Sequence, residues 1–275
     1  MTAKVYAITN NKGGTGKTTT TVNLADLTAR ANLDKRVCVI DLDPQGNIAD
    51  SFGLREAAQG MCVSHILLDP ATLGDNILQA TNGDLVRNNL YVVPASRNLE
   101  NATTQLVALA ATGFISGDGP DLKTIMMDAF APIVDNFDYV FIDCPPKLDV
   151  LKTAVYNMAD FVIVPSAARY LDFQGAQQHT GDLSALRSKM PDTIKAKLVL
   201  VIPTMIDGRE VQNRRVYEAM LEFYGARVVT TPIPARVEVK EAPEVGMTLY
   251  EYVAATNKRS QALAAYATIA QRIAS

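Results

Sequence analysis

The 275-residue chain is 48% hydrophobic and 20% charged, with a formal charge of −3 and a mean hydropathy of +0.05. That balance suits a soluble chain with a sizeable core. It excludes a membrane-spanning protein, because no run approaches the roughly 18 apolar residues of a span, and it argues against a globally basic nucleic-acid binder.

The chain opens on an apolar run, Val5 to Ile8, that leads into Thr9-Asn-Asn-Lys-Gly-Gly-Thr-Gly-Lys-Thr-Thr-Thr-Thr21, and a helix is expected from Thr18 to about Ala31. Strand, glycine-rich loop and helix together form the context of a phosphate-binding loop. Backbone N–H groups of such a loop surround an anion, and the helix adds the positive end of its dipole. Gly13, Gly14 and Gly16 let the backbone approach phosphate oxygens with no Cβ in the way. Thr15 and Thr19 complete the cradle around them, Lys17 offers a point charge for the terminal phosphates, and the Thr18 hydroxyl is of the type that ligates Mg²⁺. One position departs from the general G-x-x-x-x-G-K-[ST] pattern. Its first glycine would fall on Asn11, and the next residue is a second lysine, Lys12, surplus to simple phosphate cradling.

After a turn at 32–34, Arg36 to Asp43 reads as a buried strand ending in two aspartates, and near-continuous apolar strands mark a parallel sheet covered on both faces. Residues 50–90 carry the weakest signal, with a short helix at Ser64 to Leu68. Leu90 to Val93 is a strand closed by Pro94. Helices are expected at Leu99 to Leu109 and Leu122 to Val134, joined by a glycine-containing connector, Gly113 to Gly119. Asp138 to Asp143 is the next strand, broken by Cys144-Pro-Pro146. Then come a helix at Leu148 to Met158, a strand at Phe161 to Val164, a helix at Phe173 to Met190, and a strand at Leu198 to Ile202. A helix at Arg209 to Tyr224 is capped by Gly225, followed by a short strand at Arg227 to Val229 and a last helix from Asn257 to Ile273.

This alternation predicts one α/β domain over residues 1–275, a doubly wound, mostly parallel sheet with helices on both faces. Ligands of such sheets bind at the edge where the strands end, and the glycine loop, Asp41, Asp43 and Asp143 all fall there. Asp143 ends the apolar run Tyr139 to Ile142 in Walker B form, an aspartate that holds Mg²⁺ directly or through water. Asp43 is the candidate for orienting the attacking water. Asp41, two residues earlier and on the same face of an extended chain, could support the metal shell. Pro203 to Asp207 and Pro232 to Arg236 lie at the edge where an adenine would be read. Cys38, Cys62 and Cys144 show no metal spacing, and His65 and His179 are isolated, so all five read as structural. With no secretory leader in view, a reducing cytoplasm is the expected compartment.

Four stretches in this order resemble the ParA/MinD ATPases, a P-loop family. Lys12-Gly-Gly-Thr-Gly-Lys-Thr18 is similar to their deviant Walker A, Asp41-Leu-Asp-Pro-Gln-Gly-Asn47 to their second motif, and Phe141-Ile-Asp-Cys-Pro-Pro146 to their Walker B. Glu241-Ala-Pro-Glu-Val-Gly246 resembles the C-terminal segment of short, Soj-type ParA proteins that lack an N-terminal helix-turn-helix. The resemblance implies ATP and Mg²⁺ as cofactors, and a nucleotide-sandwich homodimer in which Lys12 reaches the partner's phosphates. It implies sequence-independent DNA binding by that dimer, release when a ParB-like adaptor stimulates hydrolysis, and a nucleoid-associated ATP state that moves a plasmid or chromosome.

Arg209 matches an arginine that contributes to DNA binding in Soj-like members. A second such position falls on Glu238, flanked by Arg236 and Lys240, so the basic footprint is expected to be shifted. The same ATPase could instead position a protein cargo such as a carboxysome, chemoreceptor array or conjugation complex. A MinD-type membrane cycle would need an amphipathic C-terminal helix with bulky anchors and lysines. The alanine-rich Gln261 to Ala274 reads as a packing helix, and no membrane partner is expected.

Overall fold

The computed structural model describes residues 2–116, 119–147, 149–225, 228 and 231–274. Its sheet has seven strands: β1 (Lys4–Ile8), β2 (Val37–Asp41), β3 (Leu78–Gln79), β4 (Leu90–Val93), β5 (Tyr139–Asp143), β6 (Phe161–Ala167) and β7 (Lys197–Thr204). They lie in the order β3-β4-β2-β5-β1-β6-β7. All neighbouring pairs are parallel except the two-residue edge strand β3, which runs antiparallel to β4.

The period-2 side-chain alternation of a strand divides the core into two. Val5, Ala7, Cys38, Ile40, Val140 and Ile142 face one cluster, covered by α3 (Val63–Leu68), α4 (Asn98–Ser116), α5 (Ile125–Asn136), α6 (Lys152–Met158), α7 (Tyr170–Lys189) and α8 (Val211–Tyr224). Tyr6, Ile8, Val37, Val39, Tyr139 and Phe141 face the other. That side is covered by α1 (Lys17–Ala31), α2 (Asn47–Ser51), α9 (Glu238–Glu244), α10 (Leu249–Thr256) and α11 (Gln261–Ala274). β2 and β5 are buried along their whole length, and each fully buried Val, Ile or Phe there contributes roughly 1.5–3 kcal/mol.

Several element ends differ from the expected ones, for identifiable reasons. β2 stops at Asp41, because the Asp43 N–H donates to Asp41 Oδ1 (2.9 Å) and turns the chain. β6 continues through Pro165: its carbonyl accepts Asn10 Nδ2 at 2.8 Å on the side where pairing with β1 has ended, so the missing N–H breaks no ladder bond. α5 begins at Ile125 because Asp121 takes the Lys123 N–H on Oδ1 and the Thr124 and Ile125 N–H groups on its carbonyl. α4 runs through Gly113 to Ser116, past the expected stop at Leu109.

The expected last helix starts four residues late, and a further helix, α10, precedes it. Asn257 adopts a left-handed conformation (φ 50°) and ends α10, and α11 starts at Gln261. The start of α10 carries a capping box, with the Thr248 hydroxyl accepting the Glu251 N–H and Glu251 accepting the Thr248 N–H. α11 packs Ala262, Ala265, Tyr266, Ile269 and Ile273 inward, as its alanine-rich sequence implies. Of the short strand expected at Arg227 to Val229, Arg227 and Val229 lie outside the described residues, while Val228 bridges to Val201. Leu148, the expected start of α6, also lies outside them.

Candidate nucleotide site at the strand ends

β1, β2 and β5 lie side by side, so the sheet delivers the glycine loop, Asp41 and Asp143 to one place. Gly14 and Gly16 have φ of +69° and +86°, a region closed to most side chains. Gly16 is also the N-cap of α1. No side chain caps that end and no acidic residue sits in its first turn, so its leading N–H groups are open to an anion.

The loop is held by its own polar groups. Asn10, fully buried, donates to the Pro165 carbonyl and accepts the Lys12 N–H at 3.1 Å. The buried Lys17 Nζ donates to the Lys12 carbonyl at 3.0 Å. Thr204, at the end of β7, donates to the Thr15 carbonyl at 2.9 Å. Burial pulls the Lys17 amine below its ordinary range, against the opposing charges of Asp143, Cys144 and Asp43.

Asp41 and Asp143 are register partners on β2 and β5 and are almost wholly buried. Thr18 Oγ1 donates to Asp143 Oδ2 at 2.7 Å and Thr21 Oγ1 to Oδ1 at 3.0 Å. Asp41 accepts the Asp43 and Ile48 N–H groups. Burial raises both carboxyls, and their neighbouring carboxylates add to it: Asp143 raises Asp41, and Asp43 raises Asp143.

Two buried carboxylates and a threonine hydroxyl are hard oxygen donors short of positive charge, which fits Mg²⁺. Among the described residues no cluster of three or more His, Cys, Asp or Glu could form an all-protein cage. Mg²⁺ characteristically uses one or two carboxylates and completes its shell with phosphate and water, so the donor set is of the expected size. The buried Thr15 Oγ1 has no hydrogen-bond partner among the described residues, a further polar atom left for a ligand.

Asp43 is not on the strand beside Asp41, as expected, but in the turn after it, half-buried, with Oδ1 accepting the Gln45 N–H at 3.0 Å. A cavity of about 840 Å³ lined by Asp43, Leu99, Pro146 and Val150 opens beside it. The two stretches expected near an adenine do come together: Ile233 donates to Pro203, Ile206 to Ile233, and Ala235 to Ile206. Thr204 and Met205 flank Gly16.

The expected DNA contacts are dispersed and partly engaged. Arg209 forks onto Asp207 (Nε–Oδ1 3.0 Å, Nη2–Oδ2 2.6 Å), Arg236 donates to Gln261 at 2.6 Å, and Lys240 is exposed on α9. Glu238 accepts the Ser260 hydroxyl.

Sequence reasoning gave no individual role to Asn10, Thr21 and His179, and placed Thr204 only within the stretch expected near an adenine. Thr21 follows the loop motif by one helical turn and could have been found by helical spacing. His179 could not, being 168 positions from the Asn11 it touches.

A parallel sheet with a lysine- and glycine-rich loop after its first strand and aspartates on the two adjoining strands defines a P-loop nucleotide-binding protein. A family model described as an AAA domain matches residues 3–196. The chain is 32% identical over 98% of its length to Soj of Bacillus subtilis, a sporulation initiation inhibitor protein, covering 98% of that protein. It is 32% identical to the chromosome-partitioning ATPase Soj of Thermus thermophilus, over 92% of this chain and 90% of that one. Among solved structures, cobyrinic acid a,c-diamide synthase from Mycobacterium smegmatis with bound ATP analogue and magnesium superposes with a TM-score of 0.75. It is 26% identical, with 98% of this chain and 94% of that one covered. The chain belongs to the ParA/MinD family of P-loop ATPases, with the Soj-type partition ATPases among its relatives.

Proposed function

We propose that this chain is a single ParA-type ATPase domain that hydrolyses ATP to ADP and phosphate with Mg²⁺. Its ATP-bound form pairs with a second copy and binds DNA without sequence preference, and a ParB-like adaptor stimulates hydrolysis to release it. The outcome is segregation of a plasmid or chromosome by a cytoplasmic, nucleoid-associated protein. The observation that carries this reading is the buried pair Asp41 and Asp143, joined through Thr18 to a loop whose two lysines are bonded to each other. The names of the Soj relatives support the partition role. No described helix is long and apolar enough to cross a membrane.

In this scheme the loop N–H groups of residues 13–19 hold the phosphates and Lys17 neutralises them. Thr18 and Asp143, supported by Asp41, would hold Mg²⁺, which when bound balances the phosphate charge. Asp43, in its turn beside the cavity, orients the attacking water. Lys12 is exposed, and among the described residues no carboxylate pairs with it. It supplies charge to the neighbouring copy's phosphates, where a cation offered in trans stabilises the transition state.

The test is DNA binding with ATP against ADP at two salt concentrations, on the parent chain and on Lys12→Ala. ATP-specific, salt-steep binding to any sequence, lost with the ATP-dependent dimer in Lys12→Ala, is expected. Equal binding with ADP, or an unchanged dimer in Lys12→Ala, would sink the scheme.

A further inference from the structure

Lys12 is fixed at its backbone on both sides, its N–H on Asn10 Oδ1 and its carbonyl on Lys17 Nζ. Its side chain is aimed by something else. α7 passes the loop with Gly175 and, one helical turn later, His179. A Cβ built on Gly175 would lie 2.7 Å from Lys12 Cγ, 3.1 Å from Cε and 3.5 Å from Cδ, and these are its three nearest atoms. Gly175 sits inside α7, where alanine is favoured over glycine, so the helix itself gives no reason for glycine there.

His179 is 1% exposed. Its Nδ1 donates to Asn11 Oδ1 at 2.9 Å, and its Nε2 accepts the Tyr156 hydroxyl at 3.1 Å. An oxygen on one side and a hydroxyl on the other define a single neutral tautomer. Asn11 is also the position at which the general phosphate loop carries its first glycine. Where the general loop has a free backbone, this chain has a side chain tied to α7.

We propose that Gly175 and His179 form a seat on α7 that sets the direction of Asn11 and Lys12, making both positioning residues for the lysine that completes the neighbouring copy's site. The seat rests on the trans role of Lys12 proposed above. His179 holds the residue before Lys12 from one side, while Gly175 leaves the width of one methyl group along which the lysine stem runs. With the backbone pinned and the stem guided, the ammonium loses few rotamers on engaging a partner. Ordering a free lysine side chain would otherwise cost rotamer entropy at that step.

The experiment is sedimentation of the full chain with adenylyl imidodiphosphate and Mg²⁺, with ADP affinity measured alongside as a readout of one chain alone. Gly175→Ala fills the groove at a helix position that alanine favours, and the ADP affinity reports whether the variant chain remains folded. Self-association should weaken about tenfold, with ADP affinity within about twofold of the parent. His179→Phe should act in the same direction, and His179→Gln, which keeps an N–H for Asn11, should restore most of the loss. In a Lys12→Ala background Gly175→Ala should add nothing further.

Normal or tighter association of Gly175→Ala overturns the seat. So does an equal loss with and without Lys12, since the glycine would then act through something else. Normal association of Lys12→Ala alone, in which α7 is untouched, would instead refute the shared site and the seat with it.

Discussion

The edge that carries the glycine loop and the segment that carries the basic residues are built on opposite plans. At the loop edge the central polar groups share hydrogen bonds in a largely buried network: Asp143 accepts from Thr18 and Thr21, and Lys17 serves the Lys12 carbonyl. The cations expected to meet DNA stand apart on the surface, two of them with a local partner, Arg209 on Asp207 and Arg236 on Gln261. Buried networks fail as units, because removing one member leaves the others desolvated and unpaired. Exposed ion pairs are worth little and their effects add weakly. One substitution at the first region should therefore be felt in full, and one at the second should be diluted.

That contrast can be broken at four places. Asp43→Ala should lower ATP turnover about a thousandfold, within the range for losing a water-orienting base, with ATP binding kept. Normal turnover in a phosphate-release assay would move the catalytic role elsewhere.

The second place is the α7 seat. Burial, with smaller contributions from Lys152 and Lys17, lowers the His179 imidazole to about 4. Its folded value lies below the unfolded one, so the unfolded chain takes up the proton first. The stability it contributes is present above pH 6.5 and is lost as pH falls toward 4, by about 3 kcal/mol in all. Urea midpoints of the parent against His179→Gln across that window read this directly, and parallel curves would show that His179 is charged or exposed in the folded chain.

Third, Lys17→Ala should weaken ATP binding about thirtyfold, the worth of a charge-assisted bond, and calorimetry at wild-type affinity would refute the loop assignment. The smallest effect is expected at the basic segment. Arg209→Ala should reduce DNA affinity about twofold and the salt slope by about one or less. The Asp207 carboxyl, held down to about 2 mainly by its bonds from Arg209, already balances that charge. Asp207→Asn should accordingly raise DNA affinity, and a tenfold loss in Arg209→Ala would show that the two regions are not built differently after all.

The legible parts of the chain were those in which chemistry and local order coincide. Lys17, Thr18, Asp41 and Asp143 were readable because strand ends in a parallel sheet converge whatever the loops do, and the register pairing of Asp41 with Asp143 follows from that. Asp43 was placed on the wrong element, because a side chain-to-backbone bond ends β2 two residues before its charge pattern does. α10 was overlooked although Thr248-Leu-Tyr-Glu251 carries a capping box in plain sequence. The apolar signal around it is short, and tertiary bonds hold it instead: Thr248 to Asp26, and the Leu249 N–H to Asn23. His179 was set aside as structural on the ground of isolation, which is a statement about sequence neighbours. Its partners Asn11 and Tyr156 arrive from the loop after β1 and from α6, and the pattern of residues holds no trace of that meeting.

The bond from Lys17 to the Lys12 carbonyl has a consequence for the order of events. An ammonium drawn toward a phosphate in its own loop moves away from that carbonyl, and one of the two backbone anchors of Lys12 is released. The aim of Lys12 then rests on its remaining anchor, the N–H bond to Asn10 Oδ1, and on the contacts of α7, so under the shared-site proposal those two would carry more of the positioning once a nucleotide is in the loop.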